Sequence, residues 1–250
     1  MNVCLVAIDE AHCISQWGYD FRPPYLQIAE LRKVKSNVPF IALTASATRL
    51  VKEDIIEKLE LKSPQVFQKS FARENLSFAI RKTETKEKKL IEILRKVKGP
   101  AIVYVRSRKS TVALSRLLEK NTISATYYHA GLTHAERMQR QEEWISNQRR
   151  VMVATNAFGM GINKADVRVV VHMDLPENLE SYYQEAGRAG RDGKRSYAVI
   201  IFHEVDVLGL KNKVKQSQPD IEQLKVVYQA LSNYYQLAVG SVIVRKNQDL

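Results

Sequence analysis

Two adjacent carboxylates open the tetrad Asp9-Glu10-Ala11-His12, at the carboxyl end of the apolar run Val3-Cys4-Leu5-Val6-Ala7-Ile8. Such a pair can divide one reaction between its members. The first carboxylate holds a magnesium ion, usually through water, and the second orients or deprotonates a water that attacks a phosphate. An acidic pair after an apolar strand is also an ordinary strand-to-loop transition. Here an aromatic-studded loop follows, Cys13-Ile14-Ser15-Gln16-Trp17-Gly18-Tyr19-Asp20-Phe21-Arg22.

Three further stretches carry chemistry. In Gln184-Glu185-Ala186-Gly187-Arg188-Ala189-Gly190-Arg191-Asp192-Gly193, glycines between two arginines give a tight backbone. Both guanidinium groups can then project toward one target, and their permanent charge and forked donors suit phosphate oxygens. A solvated Gly/Arg turn is the plain alternative. Thr44-Ala45-Ser46-Ala47-Thr48 places small hydroxyls after an apolar run, where they can bond to carboxylates at a neighbouring strand end and transmit their state. Helix capping accounts for Thr48 by itself. Ala154-Thr155-Asn156-Ala157-Phe158-Gly159-Met160-Gly161-Ile162-Asn163 runs into a glycine-containing turn. Backbone amides around Gly161 and Asn163, with the Thr155 hydroxyl, can approach a phosphate closely there. A packing turn explains that string equally well.

The elements that must hold these residues alternate. Strands are expected at Val3–Ile8, Phe40–Leu43, Ala101–Val105, Ala125–Tyr128, Val151–Ala154, Val167–His172 and Tyr197–Phe202, each rich in β-branched residues without polar alternation. That pattern belongs to parallel strands covered on both faces. Helices are expected between them: one capped by Thr48 with Val51, Ile55, Ile56 and Leu59 on one face, then Lys86–Val97, Lys109–Glu119, Thr133–Ile145 and Leu179–Gly187. The alternation predicts a doubly wound α/β architecture. The segment from Ser70 to Glu87 has no strong period, so a domain junction is expected there, between an incomplete first sheet and a whole second one. Expected boundaries are 1–75, 76–205 and 206–250. In the last part Ile221, Leu224, Tyr228, Leu231, Tyr235 and Ala238 recur at helical spacing, as for a helix packed on a neighbour.

Composition narrows the class. The 250 residues carry a formal charge of +12 and a pI near 9.6, with 45% hydrophobic residues. A basic globular chain of this kind commonly meets a polyanion, phosphate backbone first. With Cys4 and Cys13 alone, neither a disulfide framework nor a four-cysteine zinc site forms within the chain. No apolar stretch is long enough to span a bilayer and no secretory signal is apparent, so the simplest reading is cytosolic, with no membrane partner.

In this order and spacing the motifs resemble the superfamily 2 helicases, and within them the RecQ family. The resemblance rests on Asp9–Gly18 with Asp20-Phe21-Arg22-Pro23, on Tyr128-His129-Ala130-Gly131-Leu132, on Gly159–Lys164 and on Tyr183–Gly193, and it runs from residue 1 to at least residue 205, more loosely to about Gly240. It implies an ATP-driven 3′-to-5′ DNA-unwinding motor of two RecA-like lobes, acting in recombination and repair on single-stranded and forked DNA, as a monomer, in the cytoplasm or at a nucleoid. ATP would lie between the lobes. Asp9 would bind Mg²⁺ through water and Glu10 would be the general base. Arg188 and Arg191 would be arginine fingers, with Gln184 lining the same face. His12, Thr44 and Ser46 would couple hydrolysis to lobe movement. Trp17, Phe21 and Arg22 would sense DNA, aromatic rings stacking on unpaired bases. Ser107, Arg108, His129 and Thr155 would touch its backbone. Tyr19 stands where many members carry a histidine, so at that position the loop departs from the pattern on which DNA-to-ATPase coupling is inferred.

The family's phosphate loop is not among these residues, since no G-x-x-x-x-G-K-[ST] occurs. A piece cut at both ends, inactive on its own, is therefore expected, with poor stability in the first 70 residues. Two alternatives stand beside the helicase: a non-enzymatic nucleic-acid-binding module, and a DEAD/DEAH RNA helicase. The Cys-Ile-Ser-Gln-Trp-Gly continuation after His12 argues against the second.

Overall fold

The structure is a computed structural model that describes residues 3–16, 21–35, 37–45, 47–70, 72–159, 162–217 and 219–235. Two compact parts emerge, Met1–His203 and Glu204–Leu250.

The first part opens with strand β1 (Val6–Ile8), 3₁₀ turns at Ala11–Ile14 and Pro23–Glu30, and the short helix α1 (Leu31–Val34). Strand β2 (Phe40–Ala42) and helix α2 (Arg49–Lys58) follow. β1 and β2 pair in parallel, Val6 opposite Phe40 and Ile8 opposite Ala42. Thr48 caps α2, its hydroxyl accepting from the Val51 amide at 3.4 Å, and Val51, Ile55 and Leu59 bury one face against Ile8, Ala11 and Ile14. Ile56 stays half-buried. This small sheet leaves Leu5, Ile41 and Leu43 exposed beside a cavity of about 970 Å³.

The second sheet is built from β3 (Leu76–Lys82), α3 (Lys86–Lys96), β4 (Ala101–Tyr104), α4 (Arg108–Lys120), β5 (Ala125–Tyr128), α5 (His134–Ile145), β6 (Val151–Ala154), β7 (Val169–His172), α6 (Leu179–Ala186) and β8 (Ser196–Phe202). Its six strands are all parallel, in the order β3-β8-β7-β4-β6-β5. The side-chain period of a strand is two, so neighbouring residues serve opposite faces. Val103, Val153, Val171 and Ile201 pack with Leu90, Leu94, Leu114 and Leu118 of α3 and α4. Ile102, Met152, Val170 and Ile200 pack with Trp144 of α5 and with Tyr182 and Ala186 of α6. Both faces are dry, which is why these strands read as unbroken apolar runs.

β3 corrects the expectation of a featureless segment from Ser70 to Glu87. It pairs with β8 over seven residues, Leu76 opposite Ser196 through Lys82 opposite Phe202. As an edge strand it has one neighbour, and only Leu76 is fully buried, so its charged end hid it. β1 and β2 are shorter than expected, while β8 starts one residue earlier. The second part holds α7 (Glu204–Ser217), which begins two residues ahead of the expected extension at 206, and α8 (Ile221–Tyr234), capped reciprocally by Asp220 and Gln223. The expected continuation to Ala238 falls outside the described residues. Among the described residues no helix is long and apolar enough to cross a membrane.

Candidate functional site

The acidic tetrad sits where β1 gives way to a tight turn. Glu10 takes a left-handed backbone, φ 49°, and leads the Ala11–Ile14 turn. The Ala11 amide donates to Leu43 O at 2.9 Å and the Leu43 amide to Ile8 O at 2.8 Å, locking the tetrad beside the end of β2. Thr44 is thereby brought to His12. The buried His12 ring places Nδ1 3.0 Å from Thr44 Oγ1 and 3.4 Å from Glu10 Oε2. His12 thus stands between the Thr44 hydroxyl and the Glu10 carboxylate.

Asp9 is exposed, with Oδ1 accepting the Glu10 amide at 2.9 Å. Tyr25 donates to Asp9 O at 3.4 Å, and burial, then the neighbouring Cys13, push its phenol up. Glu10 Oε2 is buried without a hydrogen-bond partner. A carboxylate oxygen with no hydrogen bond, only the His12 ring 3.4 Å away, beside an exposed carboxylate would suit a hydrated magnesium ion and its water, with Asp9 as the holding group. Among the described residues no cluster of three or more His, Cys, Asp or Glu side chains offers a direct metal cage.

The glycine–arginine turn is fixed at the far end of the second sheet. α6 ends at Ala186, Gly190 takes φ +62°, and its amide donates to Val167 O at 2.8 Å. The Asp192 amide donates to Ala165 O, and its side chain accepts from Arg168 Nη2 at 2.6 Å, which holds that carboxyl below the usual range. Arg188 Nη1 donates to Gly159 O at 2.5 Å and Arg191 Nη1 to Ile162 O at 3.0 Å. The two arginines thus bond the carbonyls of Gly159 and Ile162, which belong to the stretch expected to cradle a phosphate. A Cβ on Gly159 would collide with the Arg188 guanidinium, so any larger residue there would have to push that guanidinium from its place. Arg188 Nε is buried and unpartnered. Partial desolvation, followed by the charges of Arg188 and Arg73, holds the Arg191 guanidinium below its usual value. Tyr104 lies beneath, its hydroxyl donating to Phe158 O at 2.9 Å, and burial pushes that phenol far up. Gln184 is half-buried on α6 and Asn163 is exposed.

No hydrogen bond or ion pair among the described residues joins Asp9 or Glu10 to Arg188 or Arg191. Each pair has its own local partners.

The residues expected to touch DNA follow the carboxyl ends of neighbouring strands, the end at which open α/β sheets bind ligands. Ser107 and Arg108 follow β4, His129 follows β5 and Thr155 follows β6. Ser107 also caps α4, accepting from the Ser110 amide at 2.9 Å. A Cβ on Gly131 would lie 3.0 Å from Arg108 Nη1 and 3.3 Å from His129 Nδ1, so that glycine packs tightly among them. His129 stacks on Tyr127, centroids 5.8 Å apart, and its Nδ1 is buried without a partner. Thr155 is buried. Phe21 is half-buried and Arg22 exposed, the Arg22 amide donating to Cys13 O at 2.8 Å. Trp17, Tyr19, Ser46 and Gly161 lie outside the described residues.

Sequence reasoning missed four side chains around this site. Buried His172 places Nε2 2.7 Å from Glu185 Oε2 and stacks on Tyr104, in a cavity of about 210 Å³ between the ends of β4 and β7. Arg73 and Asn75, just before β3, reach the glycine–arginine turn. The uninterrupted carboxylate–glycine–arginine string could have flagged Glu185. Nothing local flags Arg73.

Comparison with known proteins shows what the chain is similar to in sequence and in fold. Residues 85–193 match the helicase conserved C-terminal domain. The chain is 43% identical over 225 residues to the ATP-dependent DNA helicase RecQ of Bacillus subtilis, covering 89% of this chain and 38% of that protein. It is 42% identical over 218 residues to the ATP-dependent helicase SGS1 of Saccharomyces cerevisiae, covering 85% of this chain and 15% of that one. It therefore spans well under half the length of these relatives. In fold it is similar to S. cerevisiae Dbp5 bound to RNA and ADP BeF3, with TM-score 0.67 and 17% identity, over 86% of this chain and 57% of that one.

Proposed function

We propose, for a chain that belongs with the RecQ helicases in sequence, that it forms part of an ATP-driven DNA helicase translocating 3′ to 5′ on single-stranded DNA. The observation that carries this reading is that Arg188 and Arg191 bond the carbonyls of Gly159 and Ile162, each keeping donors beyond the one it spends there. Permanently charged donors fixed before reaction stabilise charge that develops on a transferring phosphoryl group. Asp9 would hold Mg²⁺, which when bound neutralises phosphate charge. Glu10, its Oε2 buried and free of hydrogen bonds, would take the proton of the attacking water. His12, touching both Glu10 and Thr44, would report the state of that carboxylate to the end of β2. Ser107, Arg108, His129 and Thr155 would grip DNA phosphates, and Phe21 and Arg22, with Trp17, would read unpaired bases.

The 250 residues contain no G-x-x-x-x-G-K-[ST] loop. By themselves they would bind DNA without hydrolysing ATP, which is the one respect in which a binding module describes them better. Fluorescence anisotropy with a single-stranded oligonucleotide, an RNA of equal sequence as competitor, and phosphate release from ATP test the reading together. The expected result is salt-sensitive DNA binding that RNA displaces poorly, without phosphate release. Failure to bind DNA at low salt sinks the helicase reading, preferential RNA binding favours the RNA alternative, and DNA-stimulated phosphate release refutes the inactivity.

A further inference from the structure

We infer that Arg73 and Asn75 are positioning residues that fasten the glycine–arginine turn to the connector between the two sheets, so that the connector sets where Arg188 and Arg191 point. What those arginines act on rests on the function proposed above; the fastening does not.

Among the described residues the connector carries no regular element between α2 and β3. From it Arg73 reaches across 114 residues of sequence to donate Nη1 to Gly187 O at 2.9 Å, and Nη2 to Gly190 O. Asn75 Nδ2 donates to the same Gly190 O at 2.8 Å and to Lys194 O at 3.0 Å. The Asn75 carbonyl in turn accepts the Ser196 amide at 2.8 Å, where β3 meets β8. Arg73 therefore holds the backbone on both sides of Arg188 and immediately ahead of Arg191.

The chemistry suits the task. Gly187 O lies just past the end of α6, where carbonyls lack helical donors and the helix dipole favours a cation. A planar fork satisfies two carbonyls of one turn at once, which a point-like ammonium does less well. Gly190 permits the approach: a Cβ there would lie 2.7 Å from Asn75 Nδ2. Three guanidiniums are thereby gathered at one turn, Arg73 with both Nη groups committed and Arg188 and Arg191 with donors to spare. A displacement of the connector must pull the turn with it or break these bonds.

The test compares the 250-residue chain with Arg73→Ala, Arg73→Lys and Asn75→Ala by amide hydrogen exchange and by the guanidinium NH resonances of Arg188 and Arg191. A hydrogen bond from a charged donor predicts exchange at Gly190 and Asp192 roughly tenfold faster or more in Arg73→Ala. Val153 and Val171 of the core strands should keep their rates, the Arg188 and Arg191 resonances should move, and Arg73→Lys should recover part of both effects. Unchanged exchange at 187–192 overturns the inference. So does equal acceleration throughout the second sheet, or a lysine variant no better than alanine. Pyrophosphate titration of the unmutated chain speaks to the other question: no binding there would count against the arginine-finger role, while the exchange comparison still decides the fastening.

Discussion

Gly190 shows how little freedom the arginine turn has. Its φ is +62°, and a Cβ would lie 2.7 Å from Asn75 Nδ2 and 2.8 Å from Lys194 O. Gly190→Ala is expected to destabilise the chain by roughly 2 kcal/mol, adding backbone strain to the clash, read as a lowered urea midpoint. Arg188→Ala should leave folding intact. In a polypeptide joining these residues to a phosphate-loop segment it should slow ATP hydrolysis by roughly a thousandfold, measured as phosphate release at saturating DNA. Asp54 supplies a pH signature. The Ser15 hydroxyl first, and Lys58 after it, hold its carboxyl below the ordinary 3.8 despite burial. A carboxyl depressed in the folded state stabilises fully above the unfolded value and loses that contribution as pH falls through the folded one. Between pH 5 and pH 2 the urea midpoint of the first-sheet region should therefore fall, and Asp54→Asn should flatten that decline. At this scale the sequence was partly legible. Asp9, Glu10, Arg188 and Arg191 announced themselves because chemistry restricts their types and neighbours. Arg73 did not, because an arginine that bonds carbonyls more than a hundred residues away leaves no local pattern.

The helices of the second sheet are held by their ends as much as by their faces. Thr133 caps α5 in a closed box, accepting from the Glu136 amide while Glu136 Oε2 accepts from the Thr133 amide at 2.8 Å. Thr133→Ala should cost about 1 kcal/mol, lowering the melting temperature without disturbing DNA binding, as differential scanning calorimetry can check. The buried strands and capped helices were readable because continuous β-branched runs and Ser/Thr starts each have a single physical reading. β3 was not. Its Leu76, Phe78 and Ile80 alternate with smaller or polar residues and end in Arg81 and Lys82, the mark of a strand with one open side. Such an edge looks like a connector until its partner is known.

Across the whole molecule, apolar burial is unevenly shared. The first sheet has two strands and a fully buried core of Ile8, Ala11, Ile14, Val51, Ile55 and Leu59, whereas the second is sheathed on both faces. Local stability follows buried contacts, so amides in residues 3–59 should exchange faster than those of β4, β6 and β7; equal protection would contradict this. The exposed Leu5, Ile41 and Leu43 make the same region the expected origin of aggregation on mild heating. The pairing of β3 with β8 has its own consequence for biosynthesis. The strand made first in the second sheet finds its one neighbour among the described residues some 120 residues later, Leu76 beside Ser196. A ribosome therefore releases nearly the entire lobe before the outermost ribbon can be zipped on, and until then the nascent polypeptide carries a bare β-edge that a chaperone must shield or a second nascent chain can capture.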